Sequence, residues 1–179
     1  PQLQDGLKAL DKVKTNVPGV FAIEIESGRY VELNGKKTYS AASLIKVPIL
    51  VSFLQDCELK KCSMDDELEE TDSVKTSGSG FLQWRKTGTK YSARRVAELM
   101  MIFSDNTATN MLIDHLGGKD KLNENFRKWG LSNTRINNYL VDIEGTNTTC
   151  PYDLVYLLGR VDHGELITEE NREFMYQIM

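Results

Sequence analysis

Two short groups of residues carry the chemistry that can be read from this chain: Ser43-Leu44-Ile45-Lys46 and Ser104-Asp105-Asn106. If a helix begins near Ser43, the serine and Lys46 stand three positions apart on one face, bringing an amine within reach of a hydroxyl. The positive end of that helix favours an attacking alkoxide. Val47, Ile49, Leu50, Val51, Phe53 and Leu54 make the segment apolar almost all round, so it is expected to be buried. Pro48 fits its first turn, where a missing N–H costs little. Burial penalises the charged form of a lysine and moves it toward the neutral, basic form. That is a nucleophile with its base. By composition alone, however, a Ser-x-x-Lys match is expected on the order of once in a chain of this size. The pair needs company.

Ser104-Asp105-Asn106 falls between two helical patterns. Its serine offers a second hydroxyl that can pass a proton, and its asparagine can present an amide to a substrate. Its aspartate can tie down the turn. The same residue types are the favoured helix caps, and taken alone the triplet reads as a cap.

The elements that must position these groups follow in order. Leu3, Leu7, Leu10 and Val13 recur at helical steps and predict an amphipathic first helix that ends before Val17-Pro18-Gly19. Residues 20–25 and 29–33 read as two strands around Ser27-Gly28, with Asn34-Gly35 as the next turn. The buried serine helix comes next. Residues 57–71 are polar and acidic and are expected to form a solvated face. Thr76-Ser77-Gly78-Ser79-Gly80 is a flexible turn leading to Phe81, Leu82 and Trp84, which suit either a cleft wall or the core. Helices are expected from Tyr91 to Phe103, from Thr107 to Leu116 with a glycine stop at Gly117-Gly118, and from Lys119 to Trp129. Residues 132–149 look irregular. A helix carrying Pro151 in its first turn follows, capped by Thr148, Thr149 or Cys150, and a last helix begins at Thr168.

Composition narrows the field. The 179 residues, 40% of them hydrophobic, suit one domain or most of one. Twenty-two basic residues against 26 acidic ones give a net charge of −4 without a basic stripe, which disfavours nucleic-acid binding. No run approaches the ~18 apolar residues of a membrane span. The opening at Pro1, with no signal-like apolar segment, fits a trimmed secreted product and an arbitrary cut equally. His115 and His163 read as surface or helix-end residues, and no Cys/His spacing suits zinc, so neither a metal nor a cofactor is expected. Cys57 and Cys62 flank a loop where they would either pair in an oxidising compartment or remain two thiols.

Together the two motifs resemble the penicillin-recognising serine enzymes, most closely the class A β-lactamases, which carry Ser-x-x-Lys, Ser-Asp-Asn and a strand-borne Lys-Thr/Ser-Gly. The flanks, Ala42 to Pro48 and Ser104 to Leu112, are similar to the family at nearly every position, and the likeness runs through the whole chain. The resemblance implies that Ser43 is the acylated nucleophile, Lys46 its activator, Ser104 the relay to the leaving nitrogen, and Asn106 the partner of the substrate's acyl amide. It implies a structural Asp105 and an oxyanion hole that includes the Ser43 N–H.

Two departures bear on function. The family's loop motif Glu-x-x-Leu-Asn, whose glutamate drives the deacylating water, is absent from residues 135–150. Glu144 or Asp142 would have to stand in, although each suits a surface carboxylate. Lys86-Thr87-Gly88 precedes Ser104 and is rejected as the third motif. In the family that motif lies on a later strand, so a chain of 1–179 reads as a single β-lactamase-like domain, incomplete at its C-terminus. A two-stranded hairpin alone leaves an open edge and an apolar face. The expectation is that a C-terminal fragment or a second chain completes the sheet.

The expected fold is therefore an α/β (α+β) sandwich, a helical body on a small antiparallel sheet. The expected function is β-lactamase-like serine hydrolysis of a β-lactam amide through an acyl-enzyme on Ser43, in an extracytoplasmic location. One alternative is a penicillin-binding DD-peptidase, or a slowly deacylating relative, acting on peptidoglycan peptides ending in D-Ala-D-Ala. Another is a non-catalytic binding module of the same fold.

Overall fold

The computed structural model describes residues 2–10 and 17–179. Helix α1 (Gln2–Leu10) buries Leu7, and the Gln4 side-chain amide donates to the Glu32 carbonyl at 3.0 Å. Val13, expected on the same helix, lies outside the described residues. Strands β1 (Val20–Ile23) and β2 (Tyr30–Leu33) pair antiparallel, with Val20 opposite Leu33 and Ile23 opposite Tyr30. Both are shorter than the alternation suggests. The Gly28 N–H bonds the Glu24 carbonyl at 2.8 Å, and Arg29 grips the Glu24 carboxylate at 2.8 Å, so the chain is already turning at Glu24.

After the Asn34-Gly35 turn, β3 (Tyr39–Ser40) pairs antiparallel with β6 (Thr148–Thr149), inside the stretch expected to be irregular. Two-residue strands leave no pattern for a sequence to show. A 3₁₀ turn over Ala42–Ile45 then feeds α2 (Lys46–Glu58). Ile49, Leu50, Val51, Phe53 and Leu54 are fully buried, so α2 is the axis of the core, as its all-round apolar character requires. Each such side chain contributes about 2 kcal/mol of burial.

The acidic segment needs correction. It is not wholly a solvated face, because β4 (Glu67–Glu69) pairs antiparallel with β5 (Lys90–Ser92) and turns Leu68 into the core. Glu70 is fully buried, with Lys75 at 3.1 Å. The helix expected from Tyr91 accordingly begins later, as α3 (Ala93–Ile102), capped by Ser92, whose hydroxyl accepts from the Arg95 N–H. Helices α4 (Asn106–His115), α5 (Gly118–Lys128), α6 (Pro151–Asp162) and α7 (Glu169–Ile178) complete the body. Of the three caps considered for α6, Cys150 serves: its sulfur accepts from the Asp153 N–H at 3.4 Å. Phe21 of β1 meets Tyr152 of α6 edge to face at 5.1 Å, which seats the hairpin on the helical body. His115 ends α4 and His163 closes α6, as helix-end residues.

The described residues hold three two-stranded antiparallel sheets against a helical body. The expected α+β architecture is the observed one. Among the described residues no helix is long and apolar enough to cross a membrane.

Candidate active site

The site is built where the start of α2 meets the α3–α4 junction. In a 3₁₀ turn, positions three apart eclipse one another, so Ser43 lies directly over Lys46 at the first position of the α-helix. The Lys46 Nζ donates to Ser43 Oγ at 3.0 Å, to Ser104 Oγ at 3.1 Å and to Asn106 Oδ1 at 3.1 Å. Ser104 Oγ donates to Ser43 Oγ at 2.9 Å. All four residues singled out at the two motifs thus meet around one nitrogen. Lys46 is only 2% exposed, and burial pulls its amine down to about 8, with the Asp105 carboxylate partly opposing the shift. Near that pH a substantial fraction of the lysine is a neutral base, in hydrogen-bond contact with two hydroxyls. The arrangement can take a proton from one hydroxyl and return it through the other.

Asp105 supplies the rigidity. As the N-cap of α4 its Oδ1 accepts from the Ala108 N–H at 2.9 Å, while Oδ2 accepts from the N–H groups of Phe81 and Leu82 at 2.6 and 2.9 Å. The cap reading of Ser-Asp-Asn holds for one residue of the triplet, and the other two meet the lysine. Asp105 holds the turn, and its neighbours face Lys46. Ser104 adopts a left-handed backbone (φ 51°), as does Ala42 (φ 44°), so a non-glycine residue in an uncommon conformation stands at or beside each reactive hydroxyl.

Several positioning residues escaped sequence reasoning. Gly80 (φ 102°) allows the loop to approach so closely that a Cβ there would lie 2.2 Å from the Asp105 carboxyl carbon. Gly78 (φ 100°) similarly leaves room for the Asn106 amide, which donates to the Ser77 carbonyl at 3.2 Å. The Gly-x-Gly spacing was visible as a turn; what it approaches was not. Asn110, one turn along α4, is buried and clamps two loops at once. Its Nδ2 donates to the carbonyls of Val74 at 3.1 Å and Leu140 at 2.6 Å, and its Oδ1 accepts from the Leu140 N–H at 2.8 Å. An asparagine amid the apolar positions of a core helix was the available signal.

The loop that faces α4 offers no comparable carboxylate. Leu140, an apolar residue, is the one that Asn110 holds, and it is buried. Glu144 is exposed in a turn, and no hydrogen bond or ion pair joins it to the Ser43–Lys46–Ser104–Asn106 cluster. Asp142 is spent inside the loop, accepting from Thr146 Oγ1 at 2.9 Å and the Asn147 N–H at 2.6 Å. Burial raises its carboxyl, but those hydrogen bonds outweigh it and hold the group below its usual range. Lys86-Thr87-Gly88 lies in the turn before β5, where Thr87 bonds Asp72. Among the described residues no group of three or more His, Cys, Asp or Glu side chains is arranged to hold a metal ion.

A helical body on small antiparallel sheets is the fold that this chain shares with solved penicillin-binding and beta-lactamase structures. The solved structure of PBP-A superposes with a TM-score of 0.96 at 39% identity, over 99% of this chain and 68% of that one. A mutant of PBP-A, described as an acyl-enzyme complex with penicillin G, matches at a TM-score of 0.96 and 38% identity, over 99% of this chain and 68% of that one. The chain belongs to the beta-lactamase enzyme family, whose model matches residues 2–179. Among curated relatives, beta-lactamase CARB-3 of Pseudomonas aeruginosa is 23% identical over 96% of this chain and 62% of its own length. A beta-lactamase of Streptomyces fradiae is 26% identical over 96% of this chain and 59% of its own length. The chain therefore spans about three fifths of the length of the curated relatives it matches.

Proposed function

We propose that this chain carries the acylation centre of a penicillin-recognising serine enzyme, and that the acyl-enzyme it forms is long-lived. The observation that carries the reading is the pairing of a buried, depressed-pKa Lys46 with two serine hydroxyls at 3.0 and 3.1 Å. In this reading neutral Lys46 takes the proton of Ser43 as Oγ attacks the β-lactam carbonyl carbon, and the Ser43 N–H steadies the oxyanion. The C–N bond then breaks. Ser104 delivers its proton to the departing nitrogen and regains one from Lys46, leaving an ester on Ser43 and an opened ring. Asn106 keeps one amide hydrogen beyond its bond to Ser77 with which to hold the substrate's acyl amide.

Rapid hydrolysis of that ester calls for a carboxylate to activate a water, and among the described residues neither loop candidate is bonded to the cluster, since Glu144 is exposed and Asp142 is engaged within its loop. This supports a penicillin-binding protein acting on D-Ala-D-Ala wall peptides outside the cytoplasmic membrane. Rapid β-lactam hydrolysis is the second reading, and it is favoured by the names of the curated relatives. In either case we take the open hairpin β1–β2 to be completed by further polypeptide, from the same gene product or a second chain. The test is penicillin labelling of the full-length protein, with the adduct mapped by peptide mass. Label on Ser43, lost in Ser43→Ala, is expected. Noncovalent binding that survives Ser43→Ala, with no adduct in the parent protein, would instead establish a binding module.

A further inference from the structure

At the far end of α2 from Lys46, the helix closes with a turn that glycine normally makes. Leu59 caps it, Lys60 takes a left-handed backbone (φ 57°), and the Lys61 N–H reaches back to the Asp56 carbonyl at 2.9 Å. Across this turn Cys57 and Cys62 bring their sulfurs to 3.3 Å, and both line an open cleft of ≈ 680 Å³ with Lys60, Lys61, Glu170 and Asn171. The next residue, Glu58, anchors α7. One carboxylate oxygen accepts from the Thr168 N–H at 2.6 Å, the Thr168 hydroxyl at 2.8 Å and the Asn171 amide at 2.7 Å. The chemistry of the acylation centre uses none of these groups.

We propose that Cys57 and Cys62 form a reversible disulfide that staples the C-terminal turn of α2, with a small-molecule disulfide as the oxidant. Closing the sulfurs to bonding distance, about 2 Å, needs a movement of roughly 1 Å shared between two side chains of one exposed turn. Cys62 attacks first. Burial raises both thiols and both face the carboxylates of Asp56 and Asp66, but the contact between the sulfurs lowers Cys62 and raises Cys57, and the Lys61 ammonium also favours the Cys62 thiolate. The Cys62 thiolate displaces one half of the oxidant as a thiol and forms a mixed disulfide. Cys57 loses its proton, attacks the Cys62 sulfur and expels the other half. In total two cysteine thiols give up two electrons and two protons, and one disulfide becomes two thiols. Cys150 cannot take part, because it is buried and serves as the cap of α6.

The experiment treats the folded full-length protein with oxidised glutathione, then quenches, denatures, alkylates and digests it with trypsin without reductant. Trypsin cuts after Lys60 and Lys61, between the two cysteines. The expected product is a pair of peptides that stay joined until reductant is added. Cys57→Ser should trap glutathione on Cys62. The oxidised protein should melt about 5 °C higher than the reduced one, as closing a short loop predicts, with unchanged penicillin labelling of Ser43. Both cysteines alkylated as in the untreated protein, or a glutathione cap as the end product in the parent chain, would overturn the pairing. An uncapped Cys62 in Cys57→Ser would overturn the order of attack, and an unchanged Tm would overturn the stapling role.

Discussion

The corner where α2 begins beside the α3–α4 junction and the loop that faces it are built on opposite terms. At the corner, Ser43, Lys46, Ser104 and Asn106 are fixed by two helix starts, and each makes a hydrogen bond to another member of the cluster. In the loop of residues 138–147 the carboxylates are either exposed, as Glu144, or tied to the loop itself, as Asp142. Asn110 clamps that loop against α4, but the residue it holds is Leu140. The loop is therefore fixed to α4 through the backbone of Leu140, whose side chain packs in the core. On the proposed reading, forming an ester and hydrolysing it are separable requirements on this fold, and the corner supplies groups for the first.

The sharpest way to break the comparison is at the corner. Ser43→Ala should abolish covalent penicillin labelling altogether, read by denaturing mass spectrometry. Lys46→Met should slow labelling by ~10²–10⁴-fold, the usual worth of a positioned base. The same substitution should raise stability at pH 7, on the order of 1 kcal/mol, because it removes a buried ammonium. The sign of the pH dependence follows from the depressed lysine. Labelling should rise with pH through about 8 as Lys46 loses its proton. In the same direction, between about pH 8 and the ordinary lysine range the unfolded chain binds a proton that the folded chain does not. Stability of the parent protein should therefore increase across that window and the advantage of Lys46→Met should shrink, as chemical denaturation at several pH values would show.

Asp105→Ala tests the frame instead of the chemistry. It leaves the Phe81 and Leu82 N–H groups without their acceptor and uncaps α4, so a loss of about 2–3 kcal/mol is expected, with slower labelling as the Ser104 turn loosens. The smallest effect is expected in the opposite region. Glu144→Gln should leave both labelling rate and adduct lifetime unchanged, and a lengthened lifetime would identify Glu144 as the deacylating base after all.

Much of this was legible in the residues. The all-round apolar run from Val47 to Leu54 announced a buried helix, and a lysine at its start could only be buried with it. Ser104-Asp105-Asn106 announced a helix junction because the same atoms that cap a helix also mark its boundary. What the residues did not show were contacts made by backbone. Strand β4 hides in an acidic segment because its one inward residue, Leu68, is flanked by solvated glutamates, so alternation lasts for a single period. Strands β3 and β6 are two residues long and are defined by each other. Asn110 looked like one more polar residue on a helix, since its role depends on two loops that arrive from distant parts of the chain.

The most direct measurement is the lifetime of the penicillin adduct on the full-length protein, followed by intact mass after excess drug is removed, with released product quantified in parallel. The account predicts one equivalent of adduct on Ser43 that persists for hours, with product release not exceeding that equivalent. Rapid return to the unmodified mass, with many equivalents of drug opened per protein, would contradict it and place an unrecognised water-activating group beside Ser43.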